Sequence, residues 1–153
     1  MSAAERLAAL GLTLPPVTAP VAAYVPAVRT GAYVYVSGQV PVADGKLVGT
    51  GKVGAGVTAE DAAGMARTCA LNAIAAAAEA AGGLDRIRRI VKVVGFVASA
   101  PGFGGQPQVI NGASELLIEV FGADGKHARS AIGVAELPLN VPVEVELIAE
   151  VRG

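Results

Sequence analysis

The chain has 153 residues, about the length of one domain, and its composition of 53% hydrophobic and 16% charged residues is that of a folded protein and excludes disorder. Twelve basic and thirteen acidic residues give a net charge of −1, and no cluster of Lys or Arg is dense enough to neutralise a run of phosphates, which argues against nucleic acid as a partner. With three Phe, three Tyr and no Trp, small aliphatic side chains must fill the core, and the surplus apolar surface predicts an oligomer.

Cysteine, histidine and the uncharged stretches limit the sites and compartments available. Cys69 and His127 are the single residues of their types, so neither an internal disulfide nor a tetrahedral zinc site is expected. Residues 1–10 lack the basic and apolar regions of a signal peptide. Prolines interrupt the uncharged stretch 7–28, and glycines and a proline interrupt 93–114. We therefore expect a soluble cytoplasmic protein with no metal and no membrane partner.

The first predicted elements are a β-hairpin and a long helix. Residues 24–30 and 33–39 are β-branched and aromatic runs separated by Gly31-Ala32, and a short strand is predicted near 46–48. Thr58 is a predicted N-cap for a helix that ends at Gly82-Gly83. The apolar face of this helix consists of Ala62, Met65, Ala66, Cys69, Ala70, Ala73, Ile74 and Ala77.

The second half of the chain predicts a buried strand at 87–99 and a helix from about Pro107 to Gly122. Two strands follow, at 127–136 and 143–151, and the short connection between them predicts that they pair antiparallel. The element order predicts an α+β sandwich in which two main helices pack on one face of a mixed β-sheet. We expect a single domain over residues 1–153, with 1–19 as an N-terminal extension.

Residues 49–54 fit the pattern GxGxxG and lie before a helix, so a dinucleotide site has to be weighed. The preceding predicted strand is very short and the helix begins several residues late. The position where an acidic partner for the ribose is expected holds Ile74 in the helix. A flexible turn is therefore the favoured interpretation, and nucleotide binding stays only as a remote alternative.

Cys69 and His127 are candidates for nucleophile and base when each is considered alone. Cys69 lies on the apolar face of an alanine-rich helix with no His nearby in sequence, which favours a buried structural thiol. His127 stands alone at the start of a predicted strand, which favours an ordinary surface residue over a ligand or general base.

The last strand alternates cleanly, with Glu144, Glu146 and Glu150 on one face and apolar residues on the other. From this periodicity alone, Glu144 is an exposed acid and Arg129 is its charge-balancing neighbour. Tyr24, at the start of a strand, is by itself a packing residue with a solvated hydroxyl.

Taken together, short motifs along the chain resemble the Rid, or YjgF-like, family of imine and enamine deaminases in order and approximate spacing. The resemblance spans about residues 20–151 and is strongest in the last two strands. The motifs are Tyr24, Val36-Ser37-Gly38-Gln39-Val40-Pro41, Asn111, Ala128-Arg129-Ser130, and Val143-Glu144-Val145-Glu146 before Ile148-Ala149.

The resemblance implies a chorismate-mutase-like α+β fold and a homotrimer with three clefts between subunits. It also implies hydrolysis of reactive 2-imino or 2-enamino acids to 2-keto acids and ammonia without a cofactor. By the same resemblance Arg129 binds the carboxylate of a small metabolite and Glu144 orients water. Tyr24, Ser37, Gly38 and Asn111 would form the remaining lining of the cleft.

The chain also departs from the family pattern. Ala131 stands where family members often have a cysteine, and Gly133 stands where an acidic residue is common. The N-terminal extension and the loop 101–105 make the chain longer than usual. These differences indicate a divergent branch, and they keep open a second hypothesis, a non-catalytic trimer that binds a small carboxylate metabolite.

The chemistry agrees with these residue types. A guanidinium matches a planar carboxylate with two parallel hydrogen bonds, and a protonated imine needs only a positioned water and a group that accepts its proton. If the last two strands pair around 138–141, Arg129 lies opposite about Glu150, and Glu144 is roughly 20 Å away at the rise of a strand. One hairpin cannot then place both on one small substrate, so we expect a site completed by two subunits.

Overall fold

The computed structural model describes residues 1–153 and contains three α-helices and seven β-strands. The helices are α1 (Ala3–Ala9), α2 (Ala59–Ala81) and α3 (Gln106–Phe121). The strands are β1 (Ala27–Thr30), β2 (Tyr33–Gln39), β3 (Val42–Ala43), β4 (Lys46–Leu47), β5 (Ile87–Ala98), β6 (Ala128–Val134) and β7 (Val143–Val151). None of the helices combines the length and apolar character needed to cross a membrane.

Five strands form the main sheet in the order β1-β2-β7-β5-β6, and β3 pairs with β4 in a separate two-stranded ribbon. The predicted hairpin is present: β1 and β2 pair antiparallel, and Gly31 turns the chain with a φ of 57°. The pair β5 and β6 is parallel and the other neighbours are antiparallel. The sheet is therefore mixed, as predicted, and β6 is one of its edges.

The predicted pairing of the last two strands is wrong. β7 lies between β2 and β5, and β6 pairs only with the far side of β5. The chain leaves β5, forms α3 and returns as the parallel strand β6, which is a β-α-β crossover. A crossover of this kind places β6 outside β5, so the turn at Pro138–Asn140 leads the chain past β5 and not into a hairpin.

The two main helices form where their capping residues predict. The Thr58 side chain accepts a hydrogen bond from the backbone N–H of Asp61, and Gly82 ends α2 in the left-handed conformation. All eight predicted apolar positions of α2 are buried. A side chain at Gly112 of α3 would overlap the backbone at Ala63, so the two helices touch closely on one face of the sheet. The α+β class is confirmed.

The N-terminal helix α1 is joined to the same core. Ser2 and Glu5 form a capping box at its start, and the backbone N–H of Ala4 donates to the Asp85 carboxylate at 3.0 Å. Leu7 is buried among the core residues. This part of the predicted N-terminal extension therefore packs on the fold.

Candidate active site

Arg129 lies at the start of the edge strand β6 and turns its side chain toward α3. Its Nη1 donates to Asn111 Oδ1 at 2.7 Å and to Ser114 Oγ at 3.2 Å. Asn111 and Ser114 are three residues apart on α3 and so share one face of the helix. The structure thus brings together two predicted site residues, Asn111 and Arg129, on the side of the sheet that the helices cover.

His127 extends this group, which we call the arginine cluster (Asn111, Ser114, His127 and Arg129). His127 Nε2 is 2.9 Å from Ser114 Oγ, and His127 Nδ1 is 2.6 Å from the carbonyl oxygen of Gly125. Burial lowers the pKa of His127 from its ordinary 6.5, and the nearby charge of Arg129 lowers it further, against the opposing effect of the Gly125 carbonyl. The expectation of an ordinary surface histidine is therefore wrong.

Glu144 lies on β7 and points to the face of the sheet that carries no helix, since its neighbours Val143 and Val145 are fully buried on the other face. A side chain at Gly38 would overlap the Glu144 carboxylate, so these two predicted site residues are in direct contact. We call Ser37, Gly38 and Glu144 the glutamate cluster. Burial raises the pKa of Glu144 from its ordinary 4.5, and the charge of Glu146 raises it further.

An irregularity in β2 brings Gly38 to Glu144. Val36 pairs with Leu147 and Gln39 with Val145, so β2 spends one more residue than β7 between these two rungs. Such bulges redirect side chains and often lie beside active sites. The Ser37 hydroxyl donates to the carbonyl oxygen of Val25 at 2.7 Å. This bond joins the segment before β1 to strand β2. Tyr24 lies in that segment, where its side chain is exposed, and it is not part of a strand.

The two clusters lie on opposite faces of the sheet. Arg129 pairs with Val93 of β5, not with Glu150, and Glu144 pairs with Phe96 on the other side of the same strand. Three rungs and two strand spacings separate them, about 14 Å between Cα atoms. The expected separation of roughly 20 Å along a hairpin is thus wrong in both distance and cause. The sheet between the two side chains still keeps both groups of one subunit from contacting one small molecule.

Gly133 has a structural explanation in this chain. A side chain there would come within 2.8 Å of Gln106 Nε2 and 3.0 Å of Ser99 Oγ. Gln106 Nε2 donates to Ser99 Oγ at 3.2 Å and to the carbonyl oxygen of Phe103 at 2.8 Å. The Gln106 amide therefore fills the space beside Gly133 and fastens the loop 101–105 to the first turn of α3.

The other candidates of the sequence pack into the fold. Cys69 is fully buried, and burial raises its pKa well above the ordinary range, as fits the predicted structural thiol. All three glycines of the segment 49–54 are packed against side chains: a Cβ would lie 2.6 Å from Met65 Cε at Gly49, 3.2 Å from Val57 Cγ2 at Gly51 and 3.1 Å from Phe103 Cβ at Gly54. The glycines there serve close packing.

The sequence model of the family described as "YjgF/chorismate_mutase-like, putative endoribonuclease" matches residues 4–151. Among similar proteins, protein TCP17 of Trypanosoma cruzi is 44% identical over 150 residues, 97% of this chain and 94% of that protein. The 2-iminobutanoate/2-iminopropanoate deaminase of Salmonella typhimurium is 36% identical over 126 residues, 82% of this chain and 85% of that enzyme.

Solved structures agree with the sequence comparison. The crystal structure of the protein Atu1372 from Agrobacterium tumefaciens, whose function is unknown, superposes with a TM-score of 0.91 at 45% sequence identity. The match covers 99% of this chain and 94% of that one. The fold and the matched sequence together establish that this chain belongs to the YjgF-like, or Rid, family.

Proposed function

We propose that the protein hydrolyses reactive 2-imino or 2-enamino acids to 2-keto acids and ammonia, in clefts between the subunits of a homotrimer. The observation that carries this proposal is the state of Arg129. Its guanidinium is held by two neutral groups, Asn111 and Ser114, and has no carboxylate within 4.0 Å. Because no carboxylate of the protein neutralises it, this guanidinium remains available to form an ion pair with a bound anion.

Arg129 would recognise the carboxylate that every 2-imino acid carries. Both Asn111 and Ser114 accept from Nη1, so the edge formed by Nε and Nη2 has no protein partner. Two parallel N–H donors on that edge match the two oxygens of a carboxylate. The deaminase of Salmonella typhimurium, which this chain resembles, is named for two substrates of this class.

Glu144 would supply the proton acceptor. Water adds through its oxygen to C2 of the protonated imine and passes one proton to Glu144, which gives a neutral carbinolamine. Glu144 then returns this proton to the amino nitrogen, and the C–N bond breaks with its electron pair leaving on ammonia. The hydroxyl of the former carbinolamine passes its proton to the Glu144 carboxylate as the carbonyl of the keto acid forms, and Glu144 releases that proton to the ammonia or to solvent. A carboxyl with a raised pKa suits both directions of this transfer. Gly38 and Ser37 would line the same side of the cleft, with Tyr24 at its mouth.

The need for an oligomer follows from the separation of the two clusters. Arg129 of one subunit would face Glu144 of the next, because the sheet keeps them apart within one chain. The helix-free face supports this assembly, since it exposes large apolar side chains at Val28, Tyr33, Tyr35 and Ile132. β6 also offers a sheet edge that no other strand of the chain covers.

A non-catalytic trimer that binds a small carboxylate metabolite is the second candidate. The observation in its favour is at Gly133, where the Gln106 amide takes the place of an acidic side chain. Cleavage of RNA, which the family description also mentions, is less favoured, because the net charge is −1 and the arginine cluster holds one permanent cation.

The test generates 2-imino acids in place with an amino-acid oxidase and times the release of 2-keto acid with and without the protein. Faster release that scales with protein concentration supports the deaminase. Pyruvate that raises the melting temperature without any acceleration of release would reject the deaminase and support the non-catalytic candidate. The oligomeric state is measured in the same buffer by sedimentation, and a monomer would contradict the shared cleft.

A further inference from the structure

The hydrogen bonds of the arginine cluster can be assigned a direction from chemistry alone. Arginine only donates, so Ser114 Oγ accepts from Arg129 Nη1. A carbonyl only accepts, so His127 Nδ1 carries the proton that is donated to Gly125. In neutral His127, Nε2 is then the acceptor, and the hydroxyl proton of Ser114 points to it at 2.9 Å.

The result is a chain of four groups in which each donates to the next: Arg129 to Ser114, Ser114 to His127, and His127 to the backbone of Gly125. Neutral imidazole is the form this chain requires, and the lowered pKa of His127 favours it near neutral pH. Ser114 is only 9% exposed and lies within the 16-residue helix α3. The series of hydrogen bonds is thus anchored to the fold at Ser114 and at the backbone of Gly125.

We propose that Ser114 and His127 are positioning residues, which hold the guanidinium of Arg129 so that its Nε–Nη2 edge faces the bound carboxylate. This inference rests on the proposed function, in which Arg129 binds the carboxylate of the substrate. Neither residue touches the substrate. Ser114 sets the position of Nη1 together with Asn111, and His127 sets the direction of the Ser114 hydroxyl.

The physical advantage is a smaller entropic cost of binding. An arginine side chain has several rotatable bonds, and a free guanidinium loses that freedom when a ligand is bound. The two hydrogen bonds from Nη1 already restrict the side chain in the unliganded protein, so little further conformational entropy is lost on binding. The contribution should therefore appear in the affinity for the carboxylate and much less in the rate of the chemical step.

The first experiment measures pyruvate binding by titration calorimetry on the full-length protein and on four variants. Ser114→Ala and His127→Phe should each weaken binding about tenfold, the equivalent of one hydrogen bond. His127→Gln should restore most of the affinity, because its side-chain oxygen can accept the Ser114 proton where phenylalanine cannot. The double variant Ser114→Ala/His127→Phe should be no weaker than either single variant, since both break the same chain.

The kinetic readout separates positioning from a general loss of structure. In the imino-acid assay Ser114→Ala, His127→Phe and the double variant should raise KM about tenfold and change kcat less than twofold. Thr68→Ala is the matched control, because it removes another helical hydroxyl, on α2, that is bonded only to the backbone carbonyl of Gly64. Its affinity and KM should be those of the unmodified protein.

The second experiment is independent of activity. His127 is the single histidine, so a sample labelled with ¹⁵N-histidine gives one pair of ring nitrogen signals that assign the tautomer directly. The proposal requires a protonated Nδ1 and an unprotonated Nε2 at pH 7.5, and a changed Nε2 signal in Ser114→Ala. A protonated Nε2 at that pH would overturn it.

The binding results decide the rest. Unchanged affinity in Ser114→Ala and His127→Phe would overturn the proposal, and so would His127→Gln binding as weakly as His127→Phe. Pyruvate binding without any turnover of imino acids would reject the deaminase and leave the positioning role to be judged by the variants. An unmodified protein that does not bind pyruvate would reject carboxylate recognition by Arg129 and the positioning role with it.

Discussion

Arg129 and Glu144 lie on opposite faces of one sheet, with β5 between their strands. Arg129 faces α3, where Asn111 and Ser114 hold it, while Glu144 faces away from the helices beside Gly38. A single subunit therefore presents the two clusters separately, as the two halves of the proposed site. If both halves act on one substrate, they must come from two copies of the chain, and this can be tested directly.

Mixing two inactive variants should restore activity. Arg129→Ala and Glu144→Gln each disable one half, so a mixed trimer contains some clefts built from two intact halves. With random mixing at equal amounts, about a quarter of the clefts are intact, and activity should approach about a quarter of the unmodified level. The measurement is keto-acid release after the variants are unfolded together and refolded. Activity no higher than the sum of the separate variants would place the site within one subunit.

Arg129→Ala should lower keto-acid formation roughly tenfold to a hundredfold or more with the fold intact, because it removes a charge-assisted contact worth about 1.5 to 3 kcal/mol. Arg129→Lys keeps the charge but not the planar fork, so it should recover only part of the loss. Arg67→Ala is the control, since it removes an arginine that is paired with Glu119 on the surface. Turnover by Arg129→Ala equal to that of the control would contradict the assignment.

Glu144→Gln should lower kcat about a hundredfold or more while pyruvate binding is retained, since the amide cannot accept the proton of water. In the unmodified protein kcat should fall as the pH drops, because a protonated Glu144 cannot act as base. Its midpoint should lie above the ordinary pKa of 4.5. Glu146→Gln should shift that midpoint down, because the Glu146 charge contributes to the raised pKa. A loss of binding equal to the loss of rate would make Glu144 structural.

Gly38→Ala should reduce kcat about tenfold or more. The added methyl group would overlap the Glu144 carboxylate and push it aside, and a small misplacement of a catalytic group has a large effect on rate. Gly56→Ala is the matched control, because a Cβ there meets no atom within 4 Å. The two variants are compared by kcat and by melting temperature. Equal kcat values would show that the position of Glu144 is not critical.

The stability of the protein should carry an acid-sensitive contribution from His127. The folded pKa is lowered from 6.5, so the unfolded chain binds a proton more readily than the folded one. This contribution is fully present above pH 6.5 and is lost as the pH falls through the folded pKa. Thermal unfolding at several pH values should therefore show a smaller acid-induced loss in His127→Gln than in the unmodified protein. Parallel pH curves would contradict a neutral His127 in the fold.

The sequence predicts the elements of this fold well, because they are set by local features. Thr58 and Gly82 mark the ends of α2, and Gly31 marks the first hairpin. The neighbours of β7 are not local in this sense. The alternating pattern of β7 indicates that one face of the strand is buried, but it does not indicate which strands lie on either side of it. The short connection after β6 favours a hairpin with β7, and the crossover through α3 prevents that pairing by placing β6 on the far side of β5.

The candidate site is also predictable only in part, because some of its contacts join residues of different elements. Family motifs identify Arg129 and Glu144, whose roles stay predictions. The sequence does not predict the contact between Ser114 and His127, because it joins a helix to the start of a strand. A signal for them does exist. Ser114 follows Asn111 by three residues on a helix, and His127 precedes Arg129 by two residues at the start of a strand, so each pair shares a face.

The place of β7 in the sheet has a consequence for folding. The β-hairpin near the start of the chain and the β5–α3–β6 unit are each built from neighbours in sequence, but within the sheet they are joined only through β7, which lies between β2 and β5 and more than a hundred residues after β2 in the chain. Contacts so distant in sequence form slowly, because the intervening loop must be closed first. We therefore expect the arginine cluster to form before the glutamate cluster as the chain folds, because contact between Gly38 and Glu144 requires β7 to pair with β2.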